Sequence, residues 1–140
     1  MTFLSGSAAD TLLFGRKLSG LLPDGAVVSL TGPLGAGKTV LVKGIARGLG
    51  IEAEEIISPS FTIIQEYTNS KTLYHIDLYR ISGREELIHL GFEELLYGNG
   101  ICLIEWGEKA ADLLPPTVIT VNIAILPDNK RQFSVSGLPE

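Results

Sequence analysis

The sequence predicts an α/β fold: a central, mostly parallel sheet flanked by helices, with an antiparallel hairpin and C-terminal strands. Three observations carry that prediction. A short apolar, partly β-branched run at 26–30 has the make-up of a strand, and the four consecutive apolar residues at 101–104 that of a strand buried on both faces. Apolar residues recur at helical spacing in between, at Phe14, Leu18, Leu21 and Leu22 and again at Val40, Leu41, Ile45 and Leu49. Extended patterns at 61–67 and 73–79 flank the turn residues Asn69 and Ser70, so these two segments are expected to pair as a hairpin.

Taken in order, Ser7 and Asp10 form a capping-box pair, and the helical pattern after them stops at Pro23, Asp24 and Gly25. The first element is therefore expected to be a helix. A strand at 26–30, a glycine-rich turn and a second helix closed by Gly48 and Gly50 follow. Ser58, Pro59 and Ser60 open a polar loop ahead of the hairpin. Ser82 and Glu85 are a second capping-box pair, predicted to start a short helix that reaches His89 or Leu90, and 93–97 adds a further turn. Beyond Gly98, Asn99 and Gly100 comes the second central strand, 101–104, which ends on Glu105. A brief helix to Leu114 meets the break at Pro115 and Pro116. Strands at 118–125 and 132–135, with a turn at Asp128 and Asn129, complete the pattern. No internal repeat and no dividing linker is visible, which predicts one domain over 1–140.

Composition bounds the function. At 140 residues, 45% hydrophobic and 19% charged, the chain has the make-up of a folded domain able to bury roughly two thirds of its unfolded surface. Its net charge is −5 and no stretch gathers four basic residues, which argues against autonomous binding of nucleic acid. The single Cys102 lies in an apolar run, offers no disulfide and reads as a buried small hydrophobe in a reducing compartment. The first residues lack a basic leader, and no apolar run approaches a membrane span, so a cytoplasmic protein with no membrane partner is expected.

The chemistry is concentrated in one segment. Gly32, Pro33, Leu34, Gly35, Ala36, Gly37, Lys38 and Thr39 fit the pattern G-x-x-x-x-G-K-[ST], between an apolar strand and a helix. Backbone N–H groups can wrap a phosphate only where Cβ atoms do not obstruct them, which accounts for Gly32, Gly35 and Gly37. Those glycines, with Ala36, Lys38, Thr39 and Val40 at the helix start, form the expected cradle for ATP. Lys38 reaches the β and γ phosphates, the Thr39 hydroxyl meets Mg²⁺, and the positive end of the helix dipole draws the anion. The fold this implies is P-loop NTPase-like.

Hydrolysis further requires a carboxylate on the far side of the metal and an aligned water. Glu105, at the end of an apolar strand, occupies the place of a Walker-B acid. Asp77 shares one side of an alternating strand with His75 and Tyr79, followed by Arg80; spacing alone fits an active-site acid or the polar face of an edge hairpin. Thr62 fits a γ-phosphate sensor or an ordinary strand threonine. Trp106, the single tryptophan, could stack on a base or a partner or belong to the core. His89 has the place of a helix-end residue. No Cys or His spacing suggests zinc, and no Ser-His-Asp arrangement can be argued.

With the glycine loop, Ser-Pro-Ser-Phe-Thr at 58–62, His-Ile-Asp-Leu-Tyr-Arg at 75–80, Glu-Glu-Leu at 85–87 and Ile-Cys-Leu-Ile-Glu-Trp at 101–106 assembled, the chain resembles the bacterial TsaE (YjeE) family, from about residue 14 to 123. These are ATPases needed to make threonylcarbamoyladenosine in tRNA. The resemblance implies ATP hydrolysis in support of the TsaD and TsaB proteins, which carry out the transfer to the adenosine beside the anticodon. It implies phosphate roles for Lys38 and Thr39, a Mg²⁺ ligand in Glu105, and a nucleotide-site position for Trp106. Asp77 and Thr62 become candidates for positioning the attacking water or sensing the γ-phosphate. ATP and ADP would be met directly and tRNA only through the partners. Ser60 departs from the family's usual threonine but keeps a hydroxyl, and the stretch after Pro127 matches weakly. Among rival readings, a GTPase would need an acid after Asn129 and Lys130, where Arg131 and Gln132 stand. A small-molecule kinase would add an arginine-rich lid, and a nucleotide-dependent switch module would turn over slowly or not at all.

Overall fold

A computed structural model describes residues 1–56 and 63–139. The predicted polar loop at Ser58, Pro59 and Ser60, together with Phe61 and Thr62, lies outside the described residues. The elements are β1 (Thr2–Ser5), α1 (Ala8–Ser19), β2 (Val27–Thr31), α2 (Lys38–Gly48), β3 (Ile64–Thr68), β4 (Thr72–Asp77), α3 (Arg84–His89), α4 (Phe92–Leu96), β5 (Ile101–Glu105), β6 (Ile119–Ile125) and β7 (Arg131–Ser136). Short 3-10 segments occupy Ala53–Glu55 and Gly107–Leu113.

The strands form one sheet in the order β1-β7-β6-β2-β5-β4-β3. Its centre, β6-β2-β5-β4, is parallel. Antiparallel strands flank it, β3 on one side and β7 then β1 on the other. The apolar runs occupy the middle because both faces there are covered: every residue of β5 is buried. On one face, α1 and α2 pack Phe14, Leu18, Leu41 and Ile45 over Val28, Leu103 and Val121. On the other, α3, α4 and the Gly107–Leu113 segment pack Leu87, Phe92 and Ala110 over Val27, Cys102 and Ile104. The two helices of the first face touch through their backbones. A Cβ added at Gly44 would come within 2.6 Å of the Leu12 carbonyl oxygen.

Three expectations need correction. The chain opens on a strand, β1, before the first helix; its four residues carry no readable alternation, and Phe3 is held by stacking on Phe14 at 4.5 Å and by the neighbouring Phe133. The cap of α1 is as expected at Ser7, whose Oγ accepts from Asp10 N–H at 3.1 Å, but Asp10 reaches back to Gly6 N–H rather than to Ser7. The second capping pair is shifted by one residue. Glu86, not Glu85, accepts from the Ser82 N–H and hydroxyl, because α3 starts at Arg84. The expected hairpin forms at one edge of the sheet, with β3 outermost and β4 between β3 and β5, and His75 on β4 is wholly buried.

Cys102 behaves as expected of a small buried hydrophobe. Its Sγ donates to the Leu95 carbonyl, and burial pushes the thiol up to about 12. Among the described residues, no helix is long and apolar enough to cross a membrane.

Candidate functional site

The parallel pairing sets the carboxyl ends of three strands side by side. Leu30 on β2 is opposite Glu105 on β5, and Glu105 is opposite Asp77 on β4. The loop leaving β2 crosses this end of the sheet and enters α2 at Lys38. It runs through positive φ at Gly32 (143°), Gly35 (80°) and Gly37 (104°). At Gly32 a Cβ would also lie 2.5 Å from the Ile123 carbonyl oxygen, so conformation and crowding both demand glycine. Gly37 caps α2 without any side-chain hydrogen bond, and the first turn carries no acid. Among the described residues no side chain caps the amide hydrogens there, which is the electrostatic setting for an anion.

Behind the loop the side chains converge. The Thr39 hydroxyl donates toward Glu105, 3.2 and 3.1 Å from its two carboxylate oxygens. His75 Nε2 approaches Glu105 Oε2 to 2.5 Å. Lys38 is 5% exposed; its ammonium donates to the Pro33 carbonyl at 2.9 Å and lies 4.0 Å from the centre of the Trp106 ring. Burial draws the Lys38 ammonium below its usual range, while Glu105, Glu108 and Asp77 pull it back up. Trp106 has left-handed backbone (φ 61°), a conformation that costs about 1 kcal/mol outside glycine. That bend turns the chain out of β5 and places the indole against Tyr79, ring centres 5.1 Å apart. Asp77 Oδ1 accepts from the Tyr79 N–H at 2.9 Å. Burial raises the Asp77 carboxyl above its usual range and Glu105 adds to this; the Tyr79 hydrogen bond, His75 and Lys38 act the other way.

An open cleft of about 450 Å³ joins Gly35, Lys38, Thr39, Asp77, Glu105 and Trp106. Gly32 lies at the loop's start, and Ala36 and Val40 complete its wall. The cleft lining thus includes every candidate residue read from the sequence except Gly32, at the start of the loop, and Thr62, which is outside the described residues. Four further residues take part: His75, Tyr79, Arg80 and Arg131. His75, read from the sequence only as a neighbour of Asp77 on an alternating strand, meets Glu105 from the core; Tyr79 and Arg80 follow Asp77 into the cleft wall through a turn after β4. Arg131, from the start of β7, donates to the Gly35 carbonyl at 3.4 Å and to Asn129, tying the β6–β7 turn to the loop. Among the described residues no three His, Cys, Asp or Glu are grouped to hold a metal.

The family model for the threonylcarbamoyl adenosine biosynthesis protein TsaE matches residues 5–133. A tRNA threonylcarbamoyladenosine biosynthesis protein TsaE from Treponema pallidum is 46% identical over 136 residues, covering 97% of this chain and 100% of the relative. The Bacillus subtilis protein of the same name is 36% identical over 130 residues, covering 92% and 80%. The crystal structure of Bacillus subtilis YdiB superposes with a TM-score of 0.83 at 31% identity, covering 99% of this chain and 86% of the other.

Proposed function

The chain belongs to the TsaE family, and on that premise we propose that it is a P-loop ATPase, a single domain that binds and hydrolyses MgATP in the cytoplasm. The family acts in the biosynthesis of threonylcarbamoyladenosine in tRNA. The hydrolysis would support the TsaD and TsaB proteins during N6-threonylcarbamoyladenosine modification at the adenosine next to the anticodon. One observation carries the reading: the Thr39 hydroxyl and the Glu105 carboxylate, from a helix start and a strand end 66 residues apart, meet at 3.1 Å beside an uncapped glycine loop. They form an all-oxygen donor pair, which suits Mg²⁺. That ion keeps several waters and takes further ligands from substrate phosphates, so no protein cage of three carboxylates is needed. When bound with ATP, Mg²⁺ supplies charge neutralisation at the β and γ phosphates.

The chain's own groups then divide the work. The loop amides from Gly32 to Val40 hold the phosphates, and Lys38 exchanges the Pro33 carbonyl for phosphate oxygens. Trp106 borders the nucleotide through the same lysine. Asp77, which burial makes a readier proton acceptor than a solvated carboxylate, orients the attacking water, with Thr62 as the candidate γ-phosphate sensor. A net charge of −5 leaves contact with tRNA to the partner proteins.

Steady-state ATP hydrolysis with and without TsaB and TsaD tests this. The parent is expected to be stimulated by the partners. Lys38→Ala, Asp77→Ala and Glu105→Ala are each expected to lose on the order of a hundredfold in rate, about 3 kcal/mol of transition-state stabilisation. Phosphoryl transfer to a small acceptor would instead make the chain a kinase, and tight nucleotide binding without turnover in any mixture would make it a switch module.

A further inference from the structure

We propose that His75 is a positioning residue for Glu105, holding the carboxylate's orientation from inside the core so that its oxygens remain presented to the cation. The inference rests on the MgATP reading above. Register places His75 opposite Leu103 and Asp77 opposite Glu105, so His75 lies diagonally behind Glu105 on the same face of the sheet. The imidazole is wholly buried, and the Glu105 side chain is 7% exposed. Two acceptor atoms cannot approach to 2.5 Å without a proton between them. On this proposal Nε2 is the donor and Oε2 the acceptor.

The other ring nitrogen, Nδ1, is buried and has no hydrogen-bond partner among the described residues. A leucine would fill the same apolar space, among Leu73 and Leu103, without burying an unsatisfied nitrogen. What the histidine adds is one N–H aimed at one carboxylate. Thr39 lines the cleft and His75 does not. His75 thus acts on Glu105 from the core side and leaves the cleft side open to the metal and nucleotide, as an outer partner that orients a ligand does.

The test compares the parent, His75→Leu and His75→Gln, whose amide can donate to the same oxygen. Mn²⁺ binding to the ATP-saturated protein is measured by electron paramagnetic resonance, and metal-free ATP binding by calorimetry. His75→Leu is expected to weaken Mn²⁺ by about tenfold or more while metal-free ATP binding stays within about twofold, and His75→Gln is expected to recover most of the loss. Parental Mn²⁺ affinity in His75→Leu overturns the proposal, as does an equal loss of metal and ATP binding in both variants. A parent that shows no metal-dependent nucleotide binding sinks the proposed function, and this inference with it. Should His75→Leu fail to fold, nitrogen-labelled histidine in the parent decides by magnetic resonance: a proton on Nε2 is expected, and a proton on Nδ1 alone contradicts the geometry.

Discussion

At the scale of single residues, the site holds charges where the fold would be better off without them. Asp77 is raised above 3.8 chiefly by burial, so the folded state favours its protonated form. That contribution is present below pH 3.8 and is lost as the pH climbs through the raised value; above it, ionised Asp77 costs stability. Asp77→Asn is therefore expected to raise the melting temperature of the nucleotide-free protein at neutral pH, by about 2 °C or more, with the gain shrinking toward pH 3.8. Hydrolysis should fall on the order of a hundredfold in the same variant. A scanning calorimeter decides: an unchanged or lower melting temperature at neutral pH would mean that ionised Asp77 contributes stability instead. Single residues also mark where the sequence was legible. The glycine loop could be read in full because its chemistry depends on contiguous residues. His75 could not, since alternation along β4 tells which residues share a face but not whether that face is covered.

At the scale of elements, the approach of α1 and α2 sets where the loop delivers Lys38 and Thr39. Their contact through Gly44 and the Leu12 carbonyl leaves no room for a methyl group. Gly44→Ala is expected to cost about 2 kcal/mol, because backbone rather than a flexible side chain must yield. Gly83→Ala is the control: its backbone is extended and nothing lies within 4 Å of the added carbon, so stability should change by less than about 0.5 kcal/mol. Denaturant unfolding of the two variants measures the difference, and equal midpoints would show that the helices are not in register-fixing contact. The periodic helices α1 and α2 were legible because each buries one face, and β5 because a strand covered on both faces reads as a continuous apolar run. β1 was not: four residues carry too little pattern, and its place depends on pairing with β7, more than a hundred residues away. The shift from Glu85 to Glu86 has the same origin, since a helix start is chosen by packing as much as by its cap.

For the whole molecule, the parallel order β6-β2-β5-β4 is what turns scattered residues into a site. It brings the ends of β2, β5 and β4 to one edge, where crossovers in such sheets leave a crevice. Lys38, Thr39, Asp77 and Glu105 come from three segments and meet only because of that order, which explains why the sequence could nominate each of them but could not supply their distances. On the proposed function, the acids gathered there disfavour bare polyphosphate and favour its magnesium complex. The direct measurement of this claim is titration calorimetry of the folded protein with ATP in the presence and absence of Mg²⁺, alongside Lys38→Ala. The account predicts saturable heat with MgATP, weaker binding without the metal, and an affinity loss on the order of tenfold or more in Lys38→Ala. No heat from MgATP, or equal heat in the parent and Lys38→Ala, would contradict it.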